Sequence, residues 1–238
     1  MCGVFGWLGD PGEWGRAHRL LVELAVASEV RGIDAAGYAA LTPTSELLWQ
    51  RQPGPARALF QGCAFQALGS RSIAIAIGHT RHATAGAPAV NGNNHPHLAG
   101  DWALVHNGVL PAHSTIAACH GLRLTSECDS EVLARLLAEY GEWRGPEICL
   151  TLDGTQSVLA INRETRRLLA WTNGEMPLVA FRVEGIGGLW WASTEEIAEE
   201  ALEAVRLEAR FAAPDPGVVY RMELRDGEAM VNKARRRV

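Results

Sequence analysis

The sequence is poor in lysine and has neither a Cys-x-x-Cys pair nor a long hydrophobic run. Lys233 is the only lysine, and 22 basic residues face 27 acidic ones, which gives a net charge of -5. A protein held to nucleic acid mainly by phosphate contacts would carry a basic excess, so we expect no nucleic-acid partner. No apolar run approaches the roughly 18 residues that a membrane helix needs, so we expect no membrane partner.

The cysteines indicate the compartment. The five of them, at positions 2, 63, 119, 128 and 149, are odd in number, which argues against a disulfide framework. The first residues lack the basic segment and apolar core of a secretory signal. We therefore expect a cytoplasmic protein that is complete from its start. We interpret residues 1–238 as a single domain with a solvated, frayed basic tail at 233–238.

The pattern of apolar residues predicts short strands and helices in alternation. Strands are predicted over 4–8, 37–41, 46–51, 72–78, 102–105, 156–162, 168–172, 178–183, 189–192 and 217–222. Helices are predicted over 13–30, 129–140 and 195–205, with Ser126 as the N-cap of the second and Ser193 or Thr194 as that of the third. Residues 79–95 form a loop long enough to suggest function. This order favours a mixed α/β or layered α+β fold.

Cys2 follows the initiator methionine and is the first candidate for chemistry. Removal of Met1 would leave Cys2 with a free α-amine beside its thiol. An α-amine has a pKa of about 7.7–8.0 and a free thiol one of about 8.5, so the amine can take the thiol proton directly or through a water. Base and nucleophile would then have a fixed separation. Taken alone, the position is better explained by an incidental residue of the first strand.

Two further segments contain residues suited to holding a substrate. Arg31, Gly32 and Asp34 lie where the first helix passes into a strand; Arg31 and Asp34 could pair there, and a plain corner also explains them. Arg81 follows a buried strand and can bind a carboxylate through two parallel hydrogen bonds, with the hydroxyl of Thr84 close in sequence. The alternative for Arg81 is that it neutralises an acidic side chain of the protein.

Two later segments could stabilise negative and positive charge respectively. The side-chain amide of Asn107 and the backbone N–H of Gly108 can form an oxyanion hole, although Asn-Gly is also a common tight turn. Asp129, at a helix start, could receive an amino group or merely interact with the helix dipole.

Taken together and in this order, these segments resemble the class II glutamine amidotransferases. This N-terminal-nucleophile group includes hexosamine-phosphate synthases, phosphoribosyl-pyrophosphate amidotransferase, asparagine synthetase and glutamate synthase. The similarity is greatest to the glutaminase domain of the hexosamine-phosphate synthases, over about residues 2 to 205. Its patterns are Cys-Gly-Ile, Arg-Gly-Tyr-Asp-Ser-Ala-Gly, Gly-His-Thr-Arg-Trp-Ala-Thr, Asn-x-His-Pro-His, His-Asn-Gly and Ser-Glu-Thr-Asp-Thr-Glu.

The resemblance implies an α+β fold, namely a four-layer αββα sandwich of the N-terminal-nucleophile hydrolase type. It implies that Cys2 attacks the side-chain amide of L-glutamine, with Asn107 and Gly108 holding the oxyanion. Glutamate and ammonia then form through a glutamyl-thioester. The residues that would bind or support the substrate are Arg81 for the α-carboxylate, Asp129 for the α-ammonium, Thr84 and Gly108 for placement, and Arg31 and His82 near the nucleophile.

The sequence departs from the family pattern in the loop that would cover glutamine. His82 stands where the pattern has Trp, and Ala85 stands where the family has His, which puts substrate affinity and loop closure in question. An acceptor domain is also missing. We therefore expect a separately encoded synthase or ligase as partner, while a free-standing glutaminase and a homo-oligomer are left open.

Three alternatives compete with this interpretation. The first is another N-terminal-cysteine amidohydrolase, and the second is a non-catalytic protein of the same fold that senses glutamine or scaffolds a partner. The third is a metal site formed by His79, His82, His95 and His97, since imidazole is a good zinc ligand. The family pattern already accounts for these histidines, so we expect neither a metal nor an organic cofactor.

Overall fold

A computed structural model describes residues 1–235 of the chain. The helices are α1 (Trp14–Ala27), α2 (Ala56–Phe60), α3 (Cys63–Leu68), α4 (His113–Cys119), α5 (Glu131–Cys149) and α6 (Glu195–Val205). The strands are β1 (Gly3–Leu8), β2 (Ala35–Leu41), β3 (Leu47–Pro53), β4 (Ile75–Arg81), β5 (His97–Ala99), β6 (Trp102–Val109), β7 (Thr155–Asn162), β8 (Arg167–Thr172), β9 (Val179–Val183), β10 (Ile186–Ala192), β11 (Ala209–Ala212), β12 (Val218–Arg225) and β13 (Glu228–Arg235). No helix of this part of the chain is long and apolar enough to cross a membrane.

The strands form two antiparallel sheets that pack face to face. One has the order β11-β9-β10-β1-β4-β2-β3, and the other has the order β13-β12-β8-β7-β6-β5. A buried apolar layer between them includes side chains of β1 and β4 from the first sheet and of β6 and β7 from the second. Helices α1, α2, α3 and α6 cover the outer face of the first sheet, and α4 and α5 cover that of the second. The layers are therefore αββα, as the sequence analysis predicted.

Strand β1 occupies the centre of the seven-stranded sheet because it is apolar on both faces. All six of its residues are buried. Val4 packs in the layer between the sheets, while Phe5 and Trp7 pack against the helices. Alternation of side chains along a strand gives Cys2 the same direction as Val4, toward the second sheet.

Several predicted boundaries are wrong by a few residues, and two of the differences matter for the site. Strand β4 runs to Arg81 and β6 runs to Val109. The predicted loop after β4 therefore begins only at His82, and Asn107 belongs to a strand. Polar residues at a buried strand end weaken the apolar pattern from which strands are predicted.

The start of α5 and the structure of the C-terminal segment also differ from prediction. Ser126 is not the cap of α5, which begins at Glu131 with Ser130 at the N-cap position. Thr194 caps α6 by accepting a hydrogen bond from the backbone N–H of Ile197 at 3.4 Å, as predicted. The basic tail is wrong for residues 233–235, because they pair with β12 as part of β13. Residues 236–238 lie outside the described part.

Candidate active site

The two sheets bring Cys2 and Asn107 to the same end of the layer between them. Gly3 pairs with Thr80 in the first sheet, so Cys2 lies beside Arg81. In the second sheet, Ala103 and Val105 of β6 face the first sheet, and alternation gives Asn107 the same direction. A hydrogen bond of 3.0 Å between His79 Nε2 and the carbonyl of His106 links the two strand ends.

The thiol of Cys2 sits against the backbone that follows β4. Its Sγ donates to the carbonyl of His82 over 3.5 Å, and the N–H of His82 donates back to the sulfur over 3.4 Å. Burial raises the pKa of the Cys2 thiol, while the His82 backbone, the positive N-terminus and the Arg81 guanidinium oppose that rise. An unassisted thiol here is a poor nucleophile, so a local base is needed.

Arg31 and Gly32 fix the backbone around the nucleophile. Arg31 Nε donates to the carbonyl of Cys2 at 2.6 Å. A Cβ added at Gly32 would lie 2.4 Å from the backbone of Arg81 and of His82, so only glycine permits this close approach. Arg31 therefore lies next to Cys2 and does not pair with Asp34.

Asp34 holds the start of the loop after β4, a role that the sequence analysis did not identify. Its Oδ2 accepts a hydrogen bond from the Ala83 N–H at 2.8 Å and lies 3.8 Å from Nδ1 of His82. Asp34 and Ala83 are 49 positions apart in the sequence. No short-range pattern in the sequence signals such a contact.

Arg81 is buried and points its guanidinium into the loop that follows it. One Nη donates to Asn94 Oδ1 at 2.7 Å, and the other donates to the carbonyls of Ala85 and Gly86. Its described partners are thus neutral oxygen atoms, and the alternative in which Arg81 neutralises a protein carboxylate is wrong. His82 and Thr84, in the same loop, are exposed.

Asn107 and Gly108 combine an unpaired donor with a tightly packed backbone. Asn107 is 1% exposed, and its Nδ2 has no hydrogen-bond partner among residues 1–235. A buried amide without a partner costs free energy and is rare in folded proteins. A Cβ at Gly108 would lie 1.8 Å from the carbonyl oxygen of Thr155, so position 108 accepts only glycine.

Asp129 completes the charged groups around Cys2. It is buried, its Oδ2 accepts from the Leu110 N–H at 2.6 Å, and its charge contributes to the rise in the pKa of the Cys2 thiol. The structure therefore gathers Cys2, Arg31, Arg81 and Asp129 in one region and leaves the exposed Thr84 in the adjoining loop.

Glu131 anchors the segment that carries Asp129. Its carboxylate accepts from the backbone N–H and hydroxyl of both Thr125 and Ser126 and forms an ion pair with Arg135 at 2.8 Å. Burial would raise the pKa of Glu131, but the hydrogen bonds from Ser126, Arg135 and Thr125 outweigh it and lower the pKa to about 2.

We expect Glu131→Gln to destabilise the fold at pH 7 by about 3 kcal/mol, because hydrogen bonds that lower the carboxyl pKa to about 2 favour the charged form by roughly this free energy. The folded pKa lies below the unfolded one, so the stabilisation is complete above about pH 4.5 and is lost as the pH falls toward 2. Urea unfolding between pH 7 and pH 3 measures the difference in the free energy of unfolding between wild type and variant, which should shrink as the pH falls. Glu139→Gln, exposed on the same helix, is the matched control; an equal gap at all pH values contradicts the assignment.

Four buried histidines lie close to this end of the two sheets. His79 stacks on His95 with ring centroids 3.9 Å apart, and His95 meets His97 edge-on at 4.6 Å. Nδ1 of His106 bonds to the Ser130 hydroxyl at 2.8 Å. Burial lowers the pKa of all four, that of His97 to about 3, so they are neutral at pH 7. His82, which the metal alternative grouped with His79, His95 and His97, is exposed and lies outside this cluster.

The αββα layers, with a cysteine entering the central strand of one sheet, define a hydrolase fold of the N-terminal-nucleophile type. Two solved structures share it. A glutamine phosphoribosylpyrophosphate amidotransferase from B. subtilis matches with a TM-score of 0.72 at 22% identity, over 98% of this chain and 49% of that one. A glutamine aminotransferase class-II domain protein from Silicibacter pomeroyi matches with a TM-score of 0.55 at 16% identity, over 97% and 98% of the two chains.

Sequence comparison then gives the family: the chain belongs to the class II glutamine amidotransferases. A glutamine--fructose-6-phosphate aminotransferase from Vibrio cholerae is 30% identical over a gapped alignment of 245 residues. The alignment covers 95% of this chain and 36% of that protein. The chain spans about a third of the length of such curated relatives. No protein-family profile matches the chain.

Proposed function

We propose that this domain hydrolyses L-glutamine to glutamate and ammonia through a thioester on Cys2. The observation that supports it most directly is the buried Nδ2 of Asn107, an unpartnered donor directed into the same end of the layer as Cys2. A donor left without a partner in the free protein is available for an oxyanion that forms during the reaction.

The first half of the proposed reaction begins with the removal of Met1. The freed amine of Cys2 takes the thiol proton, and the sulfur attacks the carboxamide carbon of glutamine. Negative charge moves to the amide oxygen, where Asn107 Nδ2 and the Gly108 N–H stabilise it. The ammonium form of the Cys2 amine returns the proton to the leaving nitrogen, so ammonia departs and a glutamyl-thioester is left.

The second half of the reaction consumes one water molecule. The same amine removes a proton from the water, the hydroxide attacks the thioester carbon, and the sulfur leaves with the proton. Arg31 keeps the carbonyl of Cys2 in place throughout, through the bond at 2.6 Å. Apart from glutamine and this one water molecule, both halves balance with groups of the chain alone.

The substrate's α-amino-acid group is assigned to Arg81 and Asp129, with Thr84 and Gly108 helping its placement. Arg81 holds the carbonyls of Ala85 and Gly86 in the free protein. Binding of the glutamine α-carboxylate would therefore exchange a loop contact for a charged partner, which couples substrate binding to the shape of this loop. His82 supports the site through its backbone contacts to Cys2 Sγ.

Ammonia passes, in this proposal, to an acceptor synthase or ligase. The curated relatives are named as aminotransferases that use glutamine and fructose 6-phosphate, and they extend well beyond the region shared with this chain. The acceptor activity would reside either on a separate subunit, as the sequence analysis expects, or on a further part of one polypeptide. The free state of all five cysteines supports a cytoplasmic setting.

Intact-mass analysis with a glutamine-mimicking electrophile tests this function directly. We expect the untreated protein to lack the mass of Met1 and the treated protein to gain one adduct, located on Cys2 by peptide mapping. Excess L-glutamine should slow the labelling, whereas D-glutamine should not. Labelling of the exposed Cys63 or Cys119 in preference to Cys2, or retention of Met1 in a protein that releases ammonia, contradicts the mechanism.

A further inference from the structure

Beyond glutamine hydrolysis, we propose that His95, His97 and Cys128 form a buried zinc-binding site. One ligand atom from each side chain lies within 4.8 Å of the other two, and all three residues are buried. Three points this close share a centre that is at most about 2.8 Å from each. Zinc binds imidazole nitrogen at about 2.0–2.1 Å and thiolate at about 2.3 Å, so each side chain needs to move by less than about 1 Å.

Unpartnered ring nitrogens are the second observation. Both nitrogens of His95 and Nε2 of His97 are buried without a hydrogen-bond partner among the described residues. The two side chains belong to residues that are 3% and 2% exposed. Buried polar atoms are normally paired with protein, water or an ion. A metal bound to one nitrogen of each ring would give that nitrogen a partner and would leave one nitrogen of His95 to a water.

The charges around the site decide which ion it would take. Arg81 disfavours a positive charge at both histidines and Arg51 disfavours one at His97, while Glu131 favours it at His97. Asp129 lies against Cys128, whose thiol donates to its Oδ1 over 3.7 Å. Because guanidinium groups oppose a positive charge here, the ion must be held by strong bonds to thiolate and imidazole. This excludes magnesium and calcium, which prefer oxygen ligands, and favours zinc.

Binding would proceed with loss of one proton. The thiol of Cys128 gives its proton to solvent as the sulfur–metal bond forms, and the two imidazoles bind as neutral ligands. Cys128 stands where the related family pattern has threonine, so the thiol that completes this donor set is particular to this chain rather than to the pattern. The site is distinct from Cys2, which lies on the first sheet against His82.

Metal analysis of the full chain tests the proposal without using activity. The parent is the Cys2→Ser chain, which removes the nucleophile as a competing ligand. It is stripped with a chelator, equilibrated with Zn²⁺ or Co²⁺, freed of unbound ion and analysed by mass spectrometry for metal content. Cobalt also reports its ligands, because a cobalt–thiolate bond gives an intense near-ultraviolet charge-transfer band.

We expect about one ion per parent chain together with the thiolate band. Cys128→Ser should lose the band and weaken binding at least about 100-fold. Cys149→Ser, which alters another fully buried thiol, should change neither. A chain in which Cys128 is the only cysteine left should keep both signals, and this variant decides the matter if Cys128→Ser fails to fold.

Two results would overturn the zinc site. One is a folded parent chain that retains less than about a tenth of an ion after equilibration, which would mean that the unpaired nitrogens are satisfied by water. The other is binding by Cys128→Ser that equals that of the parent. Neither result bears on glutamine hydrolysis, which the labelling of Cys2 tests separately.

Discussion

We expect Cys2→Ala to abolish the release of ammonia from glutamine and to leave the fold intact. We expect a loss of at least about 10,000-fold in kcat, the scale found when the nucleophile of a covalent mechanism is removed. The fold should survive because Cys2 precedes β1, and the core contacts of that strand begin with the buried Val4 and Phe5. A coupled assay for glutamate, run beside circular dichroism, measures both quantities.

Cys63→Ala is the matched control for the nucleophile. Cys63 is also a free cysteine, but it is exposed in α3, in the layer that covers the outer face of the first sheet. Its replacement should leave kcat unchanged. Ammonia release at the wild-type rate by Cys2→Ala would rule out the thioester mechanism whatever the state of Met1.

Asn107→Ala should lower kcat by about 100- to 1,000-fold with little change in KM. The effect follows from the loss of one oxyanion donor, which costs about 2.7–4 kcal/mol in the transition state alone. Because Nδ2 of Asn107 has no hydrogen bond to lose in the free protein, we expect at most a small fall in thermal stability. Steady-state kinetics and thermal unfolding of one preparation measure the two effects.

Asn162→Ala separates this effect from damage to the fold. Asn162 is a buried asparagine at the far end of β7, where it pairs with Trp102 of β6 and accepts hydrogen bonds from the next turn. The Asn162→Ala variant should be less stable than the wild type and should have an unchanged kcat. If Asn107→Ala keeps kcat within threefold of wild type, Asn107 is not the oxyanion donor.

The sequence predicted the fold class and the family through motifs rather than through periodicity. Segments around Cys2, Arg81 and Asn107 are short, occur in a fixed order and carry unusual side chains, so their joint occurrence is specific. Periodicity alone located β1, β7 and α6 but ended β4 and β6 too early. It missed β13 as well, because a strand at a sheet edge has exposed polar residues and resembles a tail.

The contacts that hold the site in place were not predictable in the same way. Asp34 reaches Ala83 across 49 positions, and Arg81 binds Asn94 and two carbonyls of its own loop instead of an acidic side chain. Ser126 pairs with the Glu131 carboxylate instead of capping α5. Each contact depends on how separate elements pack, and short sequence patterns contain no information on that packing.

The sequence by itself determined the chemical groups of this protein: one thiol beside the N-terminus, an Asn-Gly pair, an arginine after a buried strand, and an acid near a helix start. Tertiary structure alone decided that these groups meet. The register of β1 on β4 and the packing of the two sheets place Cys2 and Asn107 at the same end of the layer between the sheets. Packing also created the cluster of His95, His97 and Cys128, because it brought Cys128 to the His95–His97 segment and buried three ring nitrogens without partners.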